Sequence, residues 1–266
     1  MNIGAVDHSA TLGTSWLHRA SPVAKLAAFA LTLAAVVLTW NALVVASLAI
    51  MLASVATSCR LKFRLTYSLA LYPGLFALVF AVSSAPDALV GAVIVLKAVT
   101  AALAAVIIVL TTPYPQVFAP VQRIVPSIVG DALLMTYRST FLLLEKFSNL
   151  LRAVRLRSGL TAGHPVRAAR ATTSALGGLL LYSFDLSQRD YDVMRLRGYE
   201  GRLRAPLPRG ESPARDVALV AGAALALATS ALWRAGAATL NPYSWLVAIP
   251  ALLALGVALI ATRRNR

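Results

Sequence analysis

Charge is scarce in this chain, and acid scarcest of all. Its 266 residues include 10 aspartates and glutamates against 25 lysines and arginines, and charged residues make up 13% of the whole. Soluble domains carry roughly a quarter charged residues, so half that share beside 59% hydrophobic residues leaves too little polar surface to face water. A soluble enzyme and a disordered chain are both excluded. The single Cys59 can form no internal bridge, which excludes a disulfide scaffold. Soft and borderline metals take clustered His, Cys and carboxylate ligands, but His8, His18, His164 and Cys59 are scattered, so neither a metal nor another cofactor is expected. No glycine-rich loop ends in Gly-Lys-Ser/Thr, so ATP is expected to bind elsewhere. What the chain has in abundance is long apolar runs.

A membrane-spanning helix needs about 20 mostly apolar residues, because the hydrocarbon core is roughly 30 Å thick and a helix rises about 1.5 Å per residue. Residues 23–57 are too long for one such span, and Trp40-Asn41 near the middle supplies an interfacial aromatic and a turn former. The run reads as a hairpin of two short spans. Residues 65–83 and 88–111 form the third and fourth, joined by the turn Ser84-Ala85-Pro86-Asp87. Residues 217–233 and 245–262 form the fifth and sixth, around Asn241-Pro242. No signal-peptide pattern precedes the first run, which is expected to be retained.

The expected fold is therefore all-α and polytopic, with about six transmembrane helices. Its expected parts are a four-span membrane domain over 1–112, a cytoplasmic block over 113–216 and a membrane hairpin over 217–266. Lysine and arginine accumulate in cytoplasmic loops. Arg19, the Arg60-Lys62-Arg64 loop, the 113–216 block and the Arg263-Arg264-Asn265-Arg266 tail are basic, whereas the turns near 40, 85 and 240 are nearly free of both residues. That places both termini in the cytoplasm and the chain in the cell membrane. The net charge of +15 follows from topology, and no nucleic-acid partner is needed to account for it.

Inside the block, Leu133, Leu134, Tyr137, Phe141, Leu144 and Leu151 recur every three or four residues, which predicts an amphipathic helix from about Ser127. Gly159 would stop it. Pro165 suits a first helical position, and a second helix is predicted to about Phe184, with Gly177-Gly178 packed against the spans. Ser187-Gln188-Arg189-Asp190 reads as the capped start of a short third helix ending at Gly198. Two helix endings are thus near copies, Arg155-Leu156-Arg157-Ser158-Gly159 and Arg195-Leu196-Arg197-Gly198-Tyr199. A cation at a helix C-terminus gains about 0.3–1 kcal/mol from the dipole, which alone would explain one of them. Two suggest a docking element, since an arginine at an exposed tip can enter a groove and fork onto a carboxylate. Lys97 lies within the fourth span, where an ammonium is expensive. It reads as a residue facing a partner or cavity, for transport or for helix packing, or as a lysine reaching towards the interface.

These stretches, together with Leu17-His18-Arg19-Ala20-Ser21-Pro22 and Lys25, Thr111-Thr112-Pro113, and Met135-Thr136-Tyr137-Arg138 with Phe141-Leu142-Leu143-Leu144-Glu145, resemble the transmembrane T component of energy-coupling factor transporters, the EcfT/CbiQ family. The stretch 190–199 is the most specific. The resemblance implies a coupling scaffold, not an enzyme, in an ABC-type importer of cobalt, nickel or a vitamin. It implies two partners: a cytoplasmic ATPase dimer and a membrane S component that binds substrate. It also implies that Leu156-Arg157-Ser158 and Leu196-Arg197-Gly198 dock into the ATPases, with leucine where the family often has alanine and serine in place of the first glycine. It suggests a basic residue at about the place of Lys97.

Two other readings stand beside this one. A polytopic enzyme acting on lipid or prenyl substrates would use clustered carboxylates, for which Asp185, Asp190 and Asp192 are the nearest candidates, though they look more like helix caps. An ordinary ABC permease would present a Glu-Ala-Ala loop with a downstream glycine, and the sequence has none.

Overall fold

A computed structural model describes residues 13, 15–61, 63–123, 125–156, 165–201, 203, 212–236 and 240–264. The chain is all-α, with no strand among the described residues. It divides into two compact units, Met1–Val117 with Leu207–Arg266, and Phe118–Pro206.

The first unit contains the apolar helices. α1 spans Pro22–Leu38 and α2 Ala42–Ser58. Each has 17 residues, or about 25 Å at 1.5 Å per residue, slightly short of the hydrocarbon thickness. Ser21 caps α1 by accepting from the Ala24 N–H, and Pro22 takes the first position, where no N–H is missed. Asn41 caps α2 by accepting from the Leu43 N–H, so the break at Trp40-Asn41 is a cap as well as a turn. α3 spans Phe63–Ser84 and α4 Ala88–Thr111, while α8, Pro213–Ala235, and α9, Trp245–Arg264, close the unit after a single 3₁₀ turn at Asn241–Tyr243. Four segments are long and apolar enough to cross a membrane: Leu65–Ser84, Ala88–Thr111, Pro213–Ala235 and Asn241–Ile260. With the two shorter apolar helices, this is a polytopic membrane protein.

α4 is the central element, packed against α1, α2 and α3, while α8 packs on α1 and α9 on α2. Small residues let these helices approach. Ala35 of α1 and Ala226 of α8 are buried together with Val36 and Leu48, and Ser230 is buried one turn further along α8. At Gly74 of α3, an added Cβ would lie 2.6 Å from Cγ2 of Val99, so glycine is required for the α3–α4 approach.

The unit boundary falls within α5, Tyr114–Val121. The second unit is dominated by α6, Ser127–Leu156, and α7, Pro165–Leu196. α6 is amphipathic, as its periodicity predicts, but Leu144 is exposed, and Phe147, Leu150 and Val154 continue the half-buried stripe instead. α7 corrects the expected break at Ser187, since it is one helix of 32 residues. Serine does not need to end a helix: the Ser183 hydroxyl donates back to the Leu180 carbonyl and stays within the helical pattern. Within this unit the glycine pair has no cover of its own. Gly177 and Gly178 are exposed, as are Leu176, Leu180 and Leu181.

Candidate functional site

Three lateral contacts fix how α6 and α7 run. Asp131 meets Tyr199, Arg138 pairs with Asp190 at 3.8 Å, and Lys146 lies 4.7 Å from the Tyr182 ring centre. Numbers rising on one helix meet numbers falling on the other, so the two are antiparallel. Their C-terminal tips, Leu156 and Leu196, therefore lie at opposite ends of the pair, roughly 35 Å apart at 1.5 Å of rise per residue.

The α7 tip is built in detail. Gly198 has φ +77°, the left-handed conformation that only glycine adopts without strain. Its N–H donates to the Arg195 carbonyl at 3.0 Å, and the Tyr199 N–H donates to the Met194 carbonyl at 3.0 Å. Those two bonds make a Schellman cap, which satisfies carbonyls that helix geometry would leave open. Arg197 is exposed at the cap, and Leu196 beside it is 88% exposed. A planar guanidinium with five donors, held on a closed cap next to an exposed leucine, is suited to a partner groove that offers carboxylates or carbonyls.

Asp131 pins this tip from the start of α6. It is only 7% exposed; one carboxylate oxygen accepts from the Tyr199 hydroxyl at 2.6 Å and the other from the Leu203 N–H at 2.9 Å. The carboxylate holds the phenolic proton, raising the Tyr199 pKa above its ordinary value. Sequence reasoning missed Asp131. An acid near a helix start reads as a dipole partner, and nothing local connects it to Tyr199.

Of the other residues singled out from sequence, Leu156 ends α6 and is 88% exposed, while Arg157 and Ser158 lie outside the described residues. The carboxylates that an enzyme would need are mostly engaged elsewhere. Asp185 pairs with Arg189 one turn along α7, and Asp190 pairs with Arg138. All three lie within a continuous helix, so the reading of Asp185, Asp190 and Asp192 as caps is corrected. Among the described residues no group of three or more His, Cys, Asp or Glu could hold a metal. His18 bonds Ser15 at 2.7 Å and Cys59 is buried. His8 and His164 lie outside the described residues.

Lys97 has a role inside the membrane unit. Its ammonium donates to the Val37 carbonyl at 3.0 Å and lies 4.2 Å from the Trp40 ring centre. Arg234 of α8 donates to the Leu38 carbonyl at 2.8 Å. Both cations thus satisfy the C-terminal carbonyls of α1, a helix too short to carry those groups clear of the hydrocarbon. At the opposite end of α1, the buried Lys25 donates to the carbonyls of His18 at 3.2 Å and Thr111 at 3.1 Å, and Asp216 accepts from the Ser21 N–H at 2.9 Å.

The sequence model of the family described as CbiQ, cobalt transport protein, matches residues 13–207, well over half of the chain. No curated protein matches it.

Proposed function

Because the chain belongs to the CbiQ family of cobalt transport proteins, and so is a component of a membrane transporter, we propose that it is the transmembrane coupling subunit of an energy-coupling factor type ABC importer. In this reading both termini are cytoplasmic and the α6–α7 pair faces a dimer of ABC-type ATPases. Arg197, with Leu196 and Gly198, docks in one ATPase, and Arg157, with Leu156 and Ser158, docks in the other. Closure of the ATPase dimer on ATP moves the two tips, and the apolar helices pass that motion to a separate S component that binds the substrate. The cargo is a cobalt ion, in keeping with the family description; the resemblance of the sequence leaves nickel or a vitamin as the alternatives. The chain itself needs no metal site and performs no chemistry.

The observation that supports the reading is the α7 tip, where Arg197 stands exposed on a cap pinned by a buried aspartate. A solvated helix end has no need of such an anchor, whereas an arginine that transmits force does. The test is charge reversal at both tips, Arg157→Glu with Arg197→Glu, in the chain expressed with its ATPases. The expected result is a chain that still inserts in the membrane but no longer retains the ATPases on purification. Retention at the level of the unaltered chain overturns the proposal.

A further inference from the structure

The first unit has a half-open cavity of about 330 Å³ among α1, α2, α4 and α8. Its walls are apolar, with Phe29, Met51, Ile108 and Leu219 among them, and its polar lining is concentrated where Lys25 and Arg215 stand. Along α8 the lining runs from Arg215 to Ala226. That is roughly 15 Å at 1.5 Å per residue, half of a hydrocarbon core roughly 30 Å thick, and so the depth of a single leaflet.

The mouth carries net positive charge, Lys25 and Arg215 against the single nearby carboxylate of Asp216. Lys25 is 3% exposed and donates to two carbonyls, which leaves one of its three N–H groups for a ligand. Among the described residues no carboxylate forms an ion pair with Lys25 or Arg215, and the nearby Asp216 is bonded to the Ser21 N–H. A buried ammonium hydrogen-bonded to neutral carbonyls, with one carboxylate nearby for two cations, gains from a further anion brought to it. Trp16, an amphipathic ring of the kind found at headgroup level, also lines the cavity.

We infer that this cavity holds one acyl chain of an anionic phospholipid, whose phosphate rests on Lys25 and Arg215. Basic sites between membrane helices recognise anionic headgroups by charge, and apolar walls one leaflet deep accept the chain. Gly222, in the lining of α8, has open space where a side chain would begin, so a larger residue there fills the cavity without touching the charges.

The test uses the full chain purified in detergent, with retained lipid read by native mass spectrometry and stabilisation read by thermal unfolding. Phosphatidylglycerol is expected to bind and stabilise at a concentration roughly tenfold lower than phosphatidylcholine, the scale of one charge-assisted hydrogen bond. Arg215→Gln, at an exposed position, should abolish that preference, and Arg215→Lys should restore most of it. Gly222→Leu should lower retention of both lipids. Inorganic phosphate should not reproduce the stabilisation. Equal binding of the two lipids, an unchanged preference in Arg215→Gln, or full stabilisation by phosphate alone would each overturn the inference.

Discussion

The Tyr199 hydroxyl donates to Asp131 at 2.6 Å, joining the residue that follows the α7 cap to the first turns of α6. With the Leu203 N–H on the other oxygen, one buried carboxylate holds the chain on the far side of Arg197. Changing Asp131 to Asn should therefore release the tip while leaving α6 and α7 helical. Amide hydrogen exchange over 197–203 should rise well above that of the unaltered chain, and, if the proposed function holds, retention of the ATPases should weaken with no loss of membrane insertion. Exchange unchanged from the parent would show that the contact carries no constraint.

The same pair gives a pH signature. The folded pKa of Tyr199 is raised because its proton is held by the Asp131 carboxylate. A raised pKa means that the contribution is complete below the ordinary tyrosine value of about 10 and is lost as pH rises through the higher folded value. Ultraviolet titration of the parent minus the Tyr199→Phe variant should show one phenol ionising later than a free tyrosine. In Asp131→Asn that phenol should ionise earlier than in the parent.

At Gly198 the φ of +77° asks for a residue without a Cβ, while the space around it is open. Only backbone strain should therefore register on substitution. Gly198→Ala should cost about 1–2 kcal/mol, and Gly198→Asn distinctly less, because asparagine enters the left-handed region more readily. Comparing the thermal midpoints of the two variants would check this, and equal midpoints would count against a strained cap.

Lys97 and Arg234 meet consecutive carbonyls at the end of α1. Replacing either with Met removes an interhelical hydrogen bond inside the membrane region, worth about 0.6–2 kcal/mol. Denaturant unfolding in micelles should show both single variants destabilised, and the double variant should depart from their sum because the two sites share one helix end. Strict additivity would argue that the two cations act separately.

Gly74 supplies a packing test. Valine there would drive a branched side chain into Val99, already 2.6 Å from a bare Cβ. Overpacking of this kind costs about 1–3 kcal/mol, and Gly74→Val should lower the thermal midpoint by several degrees more than Gly222→Ala, which meets nothing within 4 Å.

The membrane helices were legible because run length is a strong signal. Residues 88–111 read directly as a span, and Asn41 announced the break between α1 and α2. The continuity of α7 was not legible. Ser187 and Asp190 have the types of a capping pattern, but a serine hydroxyl bonds as readily to its own helix, and Asp190 turned out to face Arg138. Long-range partners were hidden for a related reason. Periodicity shows which face of a helix is apolar, but not that Lys97 would find the Val37 carbonyl or Tyr199 would find Asp131. At the candidate site the arginine and glycine ending of α7 could be read, and the aspartate that pins it could not; the ending after Leu156 lies outside the described residues.

An α-helix resists compression along its axis far more than it resists tilting. Because the α6 and α7 tips are at opposite ends of an antiparallel pair, their separation is set by rod length and works as a fixed gauge. A partner that draws the tips towards each other must therefore pivot or scissor the rods, turning an inward squeeze into rotation.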